Sequence, residues 1–407
     1  MAKLYQLVTM KLKLLFCIQL IIQSCFGQPK MGYWLTSNVV RIPFEIVNNS
    51  LLVEVTLNEH KNLSFIIDTG SNYSVAFTDS LFQIPTQQKT IPIQGFGNAD
   101  SLFAHISIAN SVRIKGLITE GKQLLVIDKS EIGLQQFYDR PVHGVIGLDI
   151  LRHFDMEINF SSEKIILRKN GVKTKTSQKW KKVPFHLTEF AIIIPSTLAI
   201  GRKKEALYLL LDTGSELPIL LQETFCPEAS SPTIIGMGIL GYASGRIGRI
   251  QKINFGEIEI TNMIAAFPDS ASSKWNSSVP QQGNLGIQFL KKYRTIINYT
   301  EGYLQLKSIK SADESFQYNR SGIAVETSSQ AECPYYISQI APGSPAEIAG
   351  LLRGDKILFV DQVHCAKLTL QQINEYFITN KNTRHNITVL RGNVPKYFII
   401  KLKDDLH

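Results

Sequence analysis

The stretch Phe65-Ile66-Ile67-Asp68-Thr69-Gly70-Ser71 decides how this 407-residue chain is interpreted, because the chain repeats it as Leu209-Leu210-Leu211-Asp212-Thr213-Gly214-Ser215. In each copy, three bulky apolar residues predict a buried strand, and the glycine permits a tight turn after the acid. A carboxylate buried at a strand end is costly unless it is paired or hydrogen-bonded. Two such groups face to face share one proton, which suits acid–base chemistry. The duplication therefore indicates a reactive pair, Asp68 and Asp212.

The similarity between the two halves extends beyond these stretches. Residues 144–151 correspond to residues 283–290 at a constant offset of 283 − 144 = 139. Between these matches, short apolar runs alternate with turn residues, a pattern that predicts strands. The simplest geometry is two similar β lobes related by a pseudo-two-fold axis, with Asp68 and Asp212 meeting on that axis.

The domain boundaries follow from the repeat and from changes in composition. Residues 169–182 are polar and lysine-rich, which is typical of a linker. Near residue 318 the pattern changes to alternating strands and helices, including a short helix with Ser344 as N-cap and Pro345 at its first position. The predicted segments are a signal peptide (1–27), a leader (28–38), a first lobe (39–168), the linker (169–182), a second lobe (183–310) and an α+β domain (318–404).

Composition and charge exclude several classes of protein. Apolar residues make up 44% of the chain, so it can bury large cores, and charged residues make up only 19%, unlike a disordered chain. The net charge is +9, or 9 − 3 = +6 without Lys3, Lys11 and Lys13 of the predicted signal peptide. No run of basic residues with interleaved aromatics indicates a nucleic-acid groove. We expect a monomer that binds no nucleic acid.

The N-terminus has the layout of a signal peptide. Lys11 and Lys13 precede a short apolar run over residues 14–22, which small residues follow. A membrane-spanning helix needs about 20 apolar residues, so we expect export to the periplasm or the extracellular space, with no transmembrane segment after cleavage. Acylation of Cys25 as a lipoprotein is the alternative, although Gln23 fits a lipoprotein box badly.

Three of the five cysteines remain after the predicted cleavage, namely Cys226, Cys333 and Cys365. Their wide spacing matches no zinc pattern, and an odd number of scattered cysteines argues against a disulfide framework. The sequence therefore predicts a fold stabilised by packing, with no metal and no cofactor.

The doubled Asp-Thr-Gly-Ser motif resembles the aspartic peptidases of the pepsin and retropepsin group. Each copy has a later apolar-apolar-Gly turn, at Ile146-Gly147 and at Leu285-Gly286. The resemblance covers about residues 39–308, and the lobe size is similar to that of two fused retropepsin subunits. It implies a mostly β fold with two acid-protease β-barrel lobes, in which Asp68 and Asp212 activate water to hydrolyse a peptide bond.

The resemblance also implies roles for the residues that follow each aspartate. Thr69 and Thr213 lock the two loops together, and Gly70 and Gly214 let backbone amides approach the carboxylates. The hydroxyls of Ser71 and Ser215 hydrogen-bond the outer carboxylate oxygens. Because such donors favour the charged form, we expect activity at acidic to near-neutral pH.

Two glycine-bearing hairpins are candidates for flaps that close over a substrate. The first lobe has no clear counterpart of the pepsin-type flap tyrosine, and Phe96 is its nearest residue. Ordinary glycine-rich turns are the alternative. The flap candidates are Gly95, Phe96, Gly97, Gly238, Gly241 and Tyr242.

The C-terminal domain resembles a PDZ domain of the bacterial type, through residues 343–351 and through Gly354-Asp355-Lys356-Ile357. The combination is similar to secreted aspartyl peptidases with a trailing PDZ domain found in Bacteroidetes-type bacteria. It implies a peptide groove in which loop amides bind the terminal carboxylate of a C-terminal peptide ligand. The groove candidates are Gly322, Ile323, Ala324 and Val325. A domain that only packs on the lobes is the alternative.

The sequence thus predicts a secreted aspartic endopeptidase that acts on peptide or protein substrates, with a PDZ-like module for docking or regulation. A non-catalytic peptide-binding protein, with a pseudo-peptidase cleft and a PDZ groove, is the alternative from another class. The enzyme is favoured because Asp68 and Asp212, with the threonine and glycine after each, are all present.

Overall fold

A computed structural model describes residues 32–80, 82–97, 102–172, 174, 176–272, 281–309, 315–328, 333–378, 383–402 and 406. The predicted signal peptide at 1–27 and the alternative acylation site at Cys25 lie outside the described residues. Over the described ranges, no helix is long and apolar enough to cross a bilayer. The predicted mostly β class is confirmed, because strands dominate every part of the chain that the structure describes.

The first lobe is built from short strands whose alternating apolar residues face the core. Its main sheet has the order β1-β9-β6-β10-β5-β4-β8-β7, and β3 pairs with β4. The elements are β1 (Gly32–Leu35), β2 (Val39–Pro43), β3 (Glu45–Val47), β4 (Ser50–Leu57), β5 (His60–Ile67), β6 (Val75–Thr78), β7 (Thr90–Ile93), β8 (Leu102–Ile114), β9 (Leu117–Asp128), β10 (Gly144–Ile146), α1 (Leu148–Leu151), β11 (Asp155–Asn159) and β12 (Lys164–Arg168), with 3-10 turns at Lys129–Glu131, Gly133–Phe137 and Phe160–Ser162.

The second lobe repeats this arrangement. Its main sheet has the order β14-β15-β16-β21-β17-β20-β19-β18. The first strand begins at Lys181, inside the segment predicted as a linker. The elements are β13 (Lys181–Pro184), β14 (His186–Leu187), β15 (Ile192–Ile200), β16 (Lys203–Leu211), β17 (Ile219–Leu221), β18 (Ser230–Gly238), β19 (Gly241–Phe255), β20 (Ile258–Pro268), β21 (Gly283–Leu285), α2 (Ile287–Leu290), β22 (Tyr293–Asn298) and β23 (Tyr303–Ser308), with a 3-10 turn at Glu223–Phe225.

A third sheet joins the lobes, in the order β13-β23-β22-β11-β12-β2. Strand β11 of the first lobe pairs antiparallel with β22 of the second, with Met156 opposite Ile297. The side chain of Glu157 in β11 is fully buried and forms ion pairs with Arg168 of its own lobe and Arg294 of the other. The shared sheet and these buried ion pairs join the two lobes. Removing one partner of such a buried network is strongly destabilising.

The C-terminal domain has its own core and a sheet of order β24-β25-β26-β28-β29, with β27 paired to β26. As predicted, Ser344 caps a short helix, because its side chain accepts a hydrogen bond from the Glu347 amide. The elements are β24 (Ile323–Thr327), β25 (Tyr335–Ile340), α3 (Pro345–Ile348), β26 (Lys356–Val360), β27 (Val363–His364), α4 (Leu370–Ile378), β28 (Arg384–Arg391) and β29 (Val394–Lys401), with a 3-10 turn at Cys365–Lys367.

The sequence argued against a disulfide framework, but the C-terminal domain contains one disulfide. Cys333 and Cys365 of the C-terminal domain are bonded to each other, and Cys226 is free. The odd number of cysteines does not exclude a disulfide, because the bonded pair lies within one domain and the unpaired cysteine lies in another.

Candidate active site

The two predicted aspartates follow matching strands of the two lobes. In the first lobe β5 runs parallel to β10, and the Asp68 amide donates to the Ile146 carbonyl at 3.0 Å. In the second lobe β16 runs parallel to β21, and the Asp212 amide donates to the Leu285 carbonyl at 3.0 Å. The apolar-apolar-Gly turn found by sequence therefore anchors each aspartate to the neighbouring strand.

Two buried threonines link the aspartate loops across the lobe interface. The Thr69 amide donates to Thr213 Oγ1 at 3.0 Å, and the Thr213 amide donates to Thr69 Oγ1 at 3.1 Å. Each hydroxyl in turn donates across the interface at 2.8 Å, Thr69 to the Leu211 carbonyl and Thr213 to the Ile67 carbonyl. Both threonines are 0% exposed, so these four bonds fix the loops relative to each other without competition from water.

The two glycines allow the aspartates to approach each other. The Gly70 amide donates to Asp68 Oδ1 at 2.8 Å, and the Gly214 amide donates to Asp212 Oδ1 at 3.0 Å. A Cβ atom at Gly70 would lie 2.5 Å from Asp212 Cγ, and one at Gly214 would lie 2.5 Å from Asp68 Oδ2. Each glycine thus makes room for the aspartate of the opposite lobe, and the carboxyl groups come within hydrogen-bond reach of each other.

The serines support the aspartates through their backbone. The Ser71 amide donates to Asp68 Oδ1 at 3.2 Å, and the Ser215 amide donates to Asp212 Oδ1 at 3.1 Å. The predicted bond from the Ser71 hydroxyl to an outer carboxylate oxygen is wrong, because this hydroxyl donates to the Tyr73 carbonyl at 2.8 Å.

The outer oxygen of one aspartate has a partner that the sequence analysis did not assign. Asn284 Nδ2 donates to Asp212 Oδ2 at 2.5 Å, and Gln281 Nε2 donates to Asn284 Oδ1 at 2.5 Å. At the offset of 139, the first lobe has Val145 in place of Asn284. A polar residue that replaces an apolar one in an otherwise matching strand was the available signal. The amide makes the environment of the pair asymmetric.

Burial raises the pKa of both aspartates, and the charge of Asp68 raises that of Asp212 further. Burial raises the pKa of Asp68, although hydrogen bonds from the Gly70 amide and from Asp212 oppose the shift. The pKa of Asp212 is raised well above its ordinary value by burial first and by the charge of Asp68 second, while Asn284 opposes this. Asp68 therefore ionises first, and Asp212 retains the shared proton.

Described residues of the two predicted flap hairpins meet across the cavity from the aspartates. The Leu240 amide of the second hairpin donates to the Phe96 carbonyl of the first at 3.0 Å. A Cβ atom at Gly238 would lie 2.0 Å from the Phe96 oxygen, and one at Gly97 would lie 2.3 Å from the Leu240 carbonyl carbon. Gly95, Phe96 and Gly238 line the space below, and Gly241 pairs with Gly238 at the end of the second hairpin. The glycines let the tips approach closely.

A cavity of about 470 Å³ lies between the aspartates and the hairpins. Apolar side chains of both lobes surround it, and the two carboxyl groups lie at its floor. A site of this size and lining suits apolar side chains with a few polar groups that fix orientation. The residues that carry most of the apolar lining are Ile66, Val75, Phe77, Leu134, Val145, Leu210, Leu217, Leu220, Ile235 and Met237.

Tyr242 does not lie over the aspartates, which corrects its assignment as a flap tyrosine. Its ring is buried, and its hydroxyl shares a 2.7 Å hydrogen bond with Ser338 Oγ of the C-terminal domain. Ser338 also donates to the Ala324 carbonyl at 3.1 Å. The second flap hairpin is thus attached to the strands of the C-terminal domain.

The loop before β24 does not present free amides, contrary to the prediction of a carboxylate-binding loop. The amides of Ser321 and Gly322 donate to Asn319 Oδ1, at 2.9 and 3.2 Å. The Ile323 amide donates to Ser321 Oγ at 3.1 Å, and this hydroxyl donates to Asn319 Oδ1 at 2.7 Å. A side-chain oxygen of the protein itself therefore occupies the loop.

His143, just before β10, and Glu216, just after the second aspartate loop, have different positions. His143 has a structural role, because its Nδ1 accepts a hydrogen bond from the Ser64 amide at 3.0 Å. Glu216, which follows Ser215, is partly buried in the wall of the cavity. Burial raises the pKa of Glu216 to about 8, and burial lowers the pKa of the nearby Lys291 to about 8.

One cluster of possible metal ligands occurs among the described residues, namely Cys333, His364 and Cys365. The disulfide uses both thiols, and thiolates rather than disulfide sulfurs bind metals. The cluster therefore offers only the imidazole of His364.

Two comparisons with known proteins found a match. Residues 336–391 match the family model of a PDZ domain. The match covers strands β25 to β28 with helices α3 and α4, and β24 and β29 belong to the same sheet. Among solved structures, the chain is similar to the aspartic proteinase from Irpex lacteus at 11% identity and a TM-score of 0.43, over 68% of this chain and 99% of that chain. No curated protein sequence matches the chain.

Proposed function

We propose that the protein is an aspartic endopeptidase whose two lobes together hydrolyse peptide bonds. The observation that carries the proposal is the contact between Asp68 and Asp212, which the crossed hydrogen bonds of Thr69 and Thr213 hold in place. A pair of carboxyl groups that keeps one proton combines a general base and a general acid in one site.

In this proposal the ionised Asp68 takes a proton from a water molecule between the carboxyl groups, and the resulting hydroxide adds to the scissile carbonyl carbon. Asp212 donates its proton to the carbonyl oxygen, so the charge on the intermediate is neutralised. Collapse of the tetrahedral diol breaks the C–N bond, the leaving nitrogen takes the proton from Asp68, and a diol proton returns to Asp212. Asn284 orients the Asp212 carboxyl group throughout.

The lining of the cavity supports a substrate class. Apolar side chains of both lobes flank the carboxyl pair, with Phe77 and Val145 on one side and Leu210 and Ile235 on the other. We expect cleavage between residues with large apolar side chains in an extended chain. The meeting hairpins would exclude bulk water during the reaction, and the substrate must enter by their opening.

The same chemistry limits the working pH. The site needs one proton on the pair, so activity falls below the pKa of Asp68 and above the pKa of Asp212. Because burial raises both pKa values, we expect a bell-shaped profile with its optimum at acidic to near-neutral pH.

Export is part of the proposal. The layout of residues 1–27 supports it, and the Cys333–Cys365 disulfide suits an oxidising compartment. The PDZ domain supports a peptide partner, because domains of this kind bind extended peptides.

The proposal is tested by digestion of a mixed peptide library, with products identified by mass spectrometry. We expect new termini between apolar residues and inhibition by pepstatin, which mimics the tetrahedral intermediate. A matched acid-to-amide change at the exposed Glu54 (Glu54→Gln) should leave the cleavage unchanged. An intact library at every pH between about 3 and 7, the range expected for a shared-proton pair, would contradict the proposal.

A further inference from the structure

The cavity between the aspartates and the hairpins is acidic, although the protein as a whole is basic. Three of the residues that line it carry carboxyl groups, namely Asp68, Asp212 and Glu216, and its described lining residues include no lysine, arginine or histidine. The whole chain has a net charge of +9. A cleft lined by one sign of charge attracts groups of the opposite sign. The proposed mechanism uses only the two aspartates, so the third carboxyl group has no role in it.

Glu216 is held in the wall of the cavity without a direct partner. It follows Ser215, whose amide donates to Asp212 Oδ1 at 3.1 Å, so its backbone is anchored beside the aspartate pair. Burial raises the pKa of Glu216 to about 8. Among the described residues, only the charge of Lys291 opposes this shift, and none donates a hydrogen bond to the carboxyl group. A buried carboxylate without such a partner is costly in the empty protein.

The ammonium group of Lys291 has its own partner outside the cavity. Its Nζ donates to Asn49 Oδ1 at 2.6 Å, and Lys291 is not among the residues that line the cavity. Burial lowers the pKa of Lys291 to about 8, although the charge of Glu216 opposes this. A lysine of a substrate has an ordinary pKa of about 10.4, so it is the more stable cation at neutral pH. The Glu216 carboxyl group therefore remains available to a cation that enters the cavity.

Two hydroxyl groups of the first lobe lie near this carboxyl group, and the three residues Glu216, Ser50 and Tyr138 form a polar corner of the cavity. Ser50 Oγ and the Tyr138 hydroxyl share a hydrogen bond of 2.8 Å, and both residues are buried and line the cavity. Burial first, and then the charges of Glu216 and Asp68, raise the pKa of Tyr138. A lysine ammonium group has three donors and no acceptor, so a carboxylate and two hydroxyl oxygens suit it.

We propose that the polar corner binds a basic side chain of the substrate and that Glu216 determines this specificity. The inference rests on the proposed function, because it adds a charged subsite to the apolar cleft of that peptidase. Glu216 lies four positions after Asp212 in the chain, so their α-carbons are at most about 14 Å apart. An extended substrate spans this distance in about four residues. The basic residue therefore lies within about four positions of the scissile bond.

The test compares lysine with norleucine, an uncharged side chain of similar length, in peptides with a fixed pair of apolar residues at the scissile bond. Each side chain is placed in turn at every other position within about four residues of that bond. Both ends of each peptide are blocked, so lysine is its only cation. Cleavage by the full chain is measured as kcat/KM at about pH 7, where part of the Glu216 population is ionised. Binding of the same peptides to the full chain carrying Asp212→Asn is measured by fluorescence anisotropy.

We expect lysine to be favoured over norleucine at one position by about tenfold or more in both measurements. Glu216→Gln should bring the two peptides to within about twofold of each other, while the matched change at the exposed Glu223 (Glu223→Gln) should keep the preference. The absence of a preference for lysine at every position, or a preference that Glu216→Gln leaves intact, would overturn the inference.

Failure of the proposed function has a different result. A preference for lysine in binding that Glu216→Gln abolishes, with no cleavage of any peptide by the unmodified chain, would support the charged subsite and count against the peptidase. Peptides that are neither bound nor cleaved would overturn both.

Discussion

Replacing Asn284 by valine identifies which aspartate holds the shared proton. The substitution gives the second lobe the residue that the first lobe has at Val145 and removes the donor to Asp212 Oδ2. An amide hydrogen bond contributes about 1.5–3 kcal/mol to a charged acceptor and about 0.5–1.5 kcal/mol to a neutral one. The difference, about 1–1.5 kcal/mol, corresponds to about one pKa unit. Asn284→Val should therefore raise the pKa of Asp212 by about one unit.

The affected limb of the pH profile follows from the order of ionisation. Asp68 ionises first, so its pKa sets the acid limb, and loss of the Asp212 proton sets the alkaline limb. With Asn284→Val, activity should persist to a pH about one unit higher, while the acid limb stays in place. The measurement is kcat/KM against pH with a quenched fluorescent peptide, which reports the free enzyme.

The matched control is Gln281→Leu, which keeps the donor on Asp212 and removes only the group that orients Asn284. It should shift the alkaline limb by less than Asn284→Val does. A shift of the acid limb instead would mean that Asp212 carries the charge, and unmoved limbs would mean that the Asn284 amide has no effect on the pair. Either result refutes the reasoning.

Three further predictions concern stability and coupling. Thr213→Val leaves the buried Thr69 amide and Ile67 carbonyl without the Thr213 hydroxyl, so guanidinium unfolding should show a loss of about 2–4 kcal/mol. Thr119→Val should cost little, because Thr119 Oγ1 has no hydrogen-bond partner among the described residues. Tyr242→Phe removes the hydrogen bond to Ser338, so amide hydrogen exchange at the second flap hairpin should become about fivefold faster. Unchanged exchange would mean that the PDZ domain does not restrain this hairpin. The pKa of Glu216 is raised from 4.5 to about 8 in the folded protein, so its contribution to stability falls as the pH rises from 4.5 towards 8. Glu216→Gln should therefore raise the melting temperature more at about pH 8 than at about pH 5. An equal gain at the two pH values would contradict this.

The internal repeat made the centre of the molecule predictable from sequence. Asp68 and Asp212 were found because a motif written twice must satisfy the same local geometry twice, and a buried strand that ends in an acid has few structural explanations. The same comparison indicated that both hairpins belong to the site, although not that Phe96 and Leu240 would hydrogen-bond to each other.

The features that were missed break the repeat or depend on contacts between distant parts of the chain. Asn284 differs from Val145, so agreement between the two lobes does not indicate its role. The position of Tyr242 depends on its hydrogen bond to Ser338, which lies 96 residues away. No local sequence pattern indicates such a contact, so the sequence places Tyr242 among the flap residues. Asn319 closes its loop through side-chain geometry that composition does not specify.

The central claim is that one aspartate from each lobe is needed for every cleavage. The most direct measurement compares peptide hydrolysis by the unmodified chain with that by Asp68→Asn and by Asp212→Asn, each verified as folded by its melting curve. Both variants should lose activity by at least about a thousandfold, since the amide cannot exchange the proton that the mechanism needs. Cleavage at an undiminished rate by either folded variant would contradict the account.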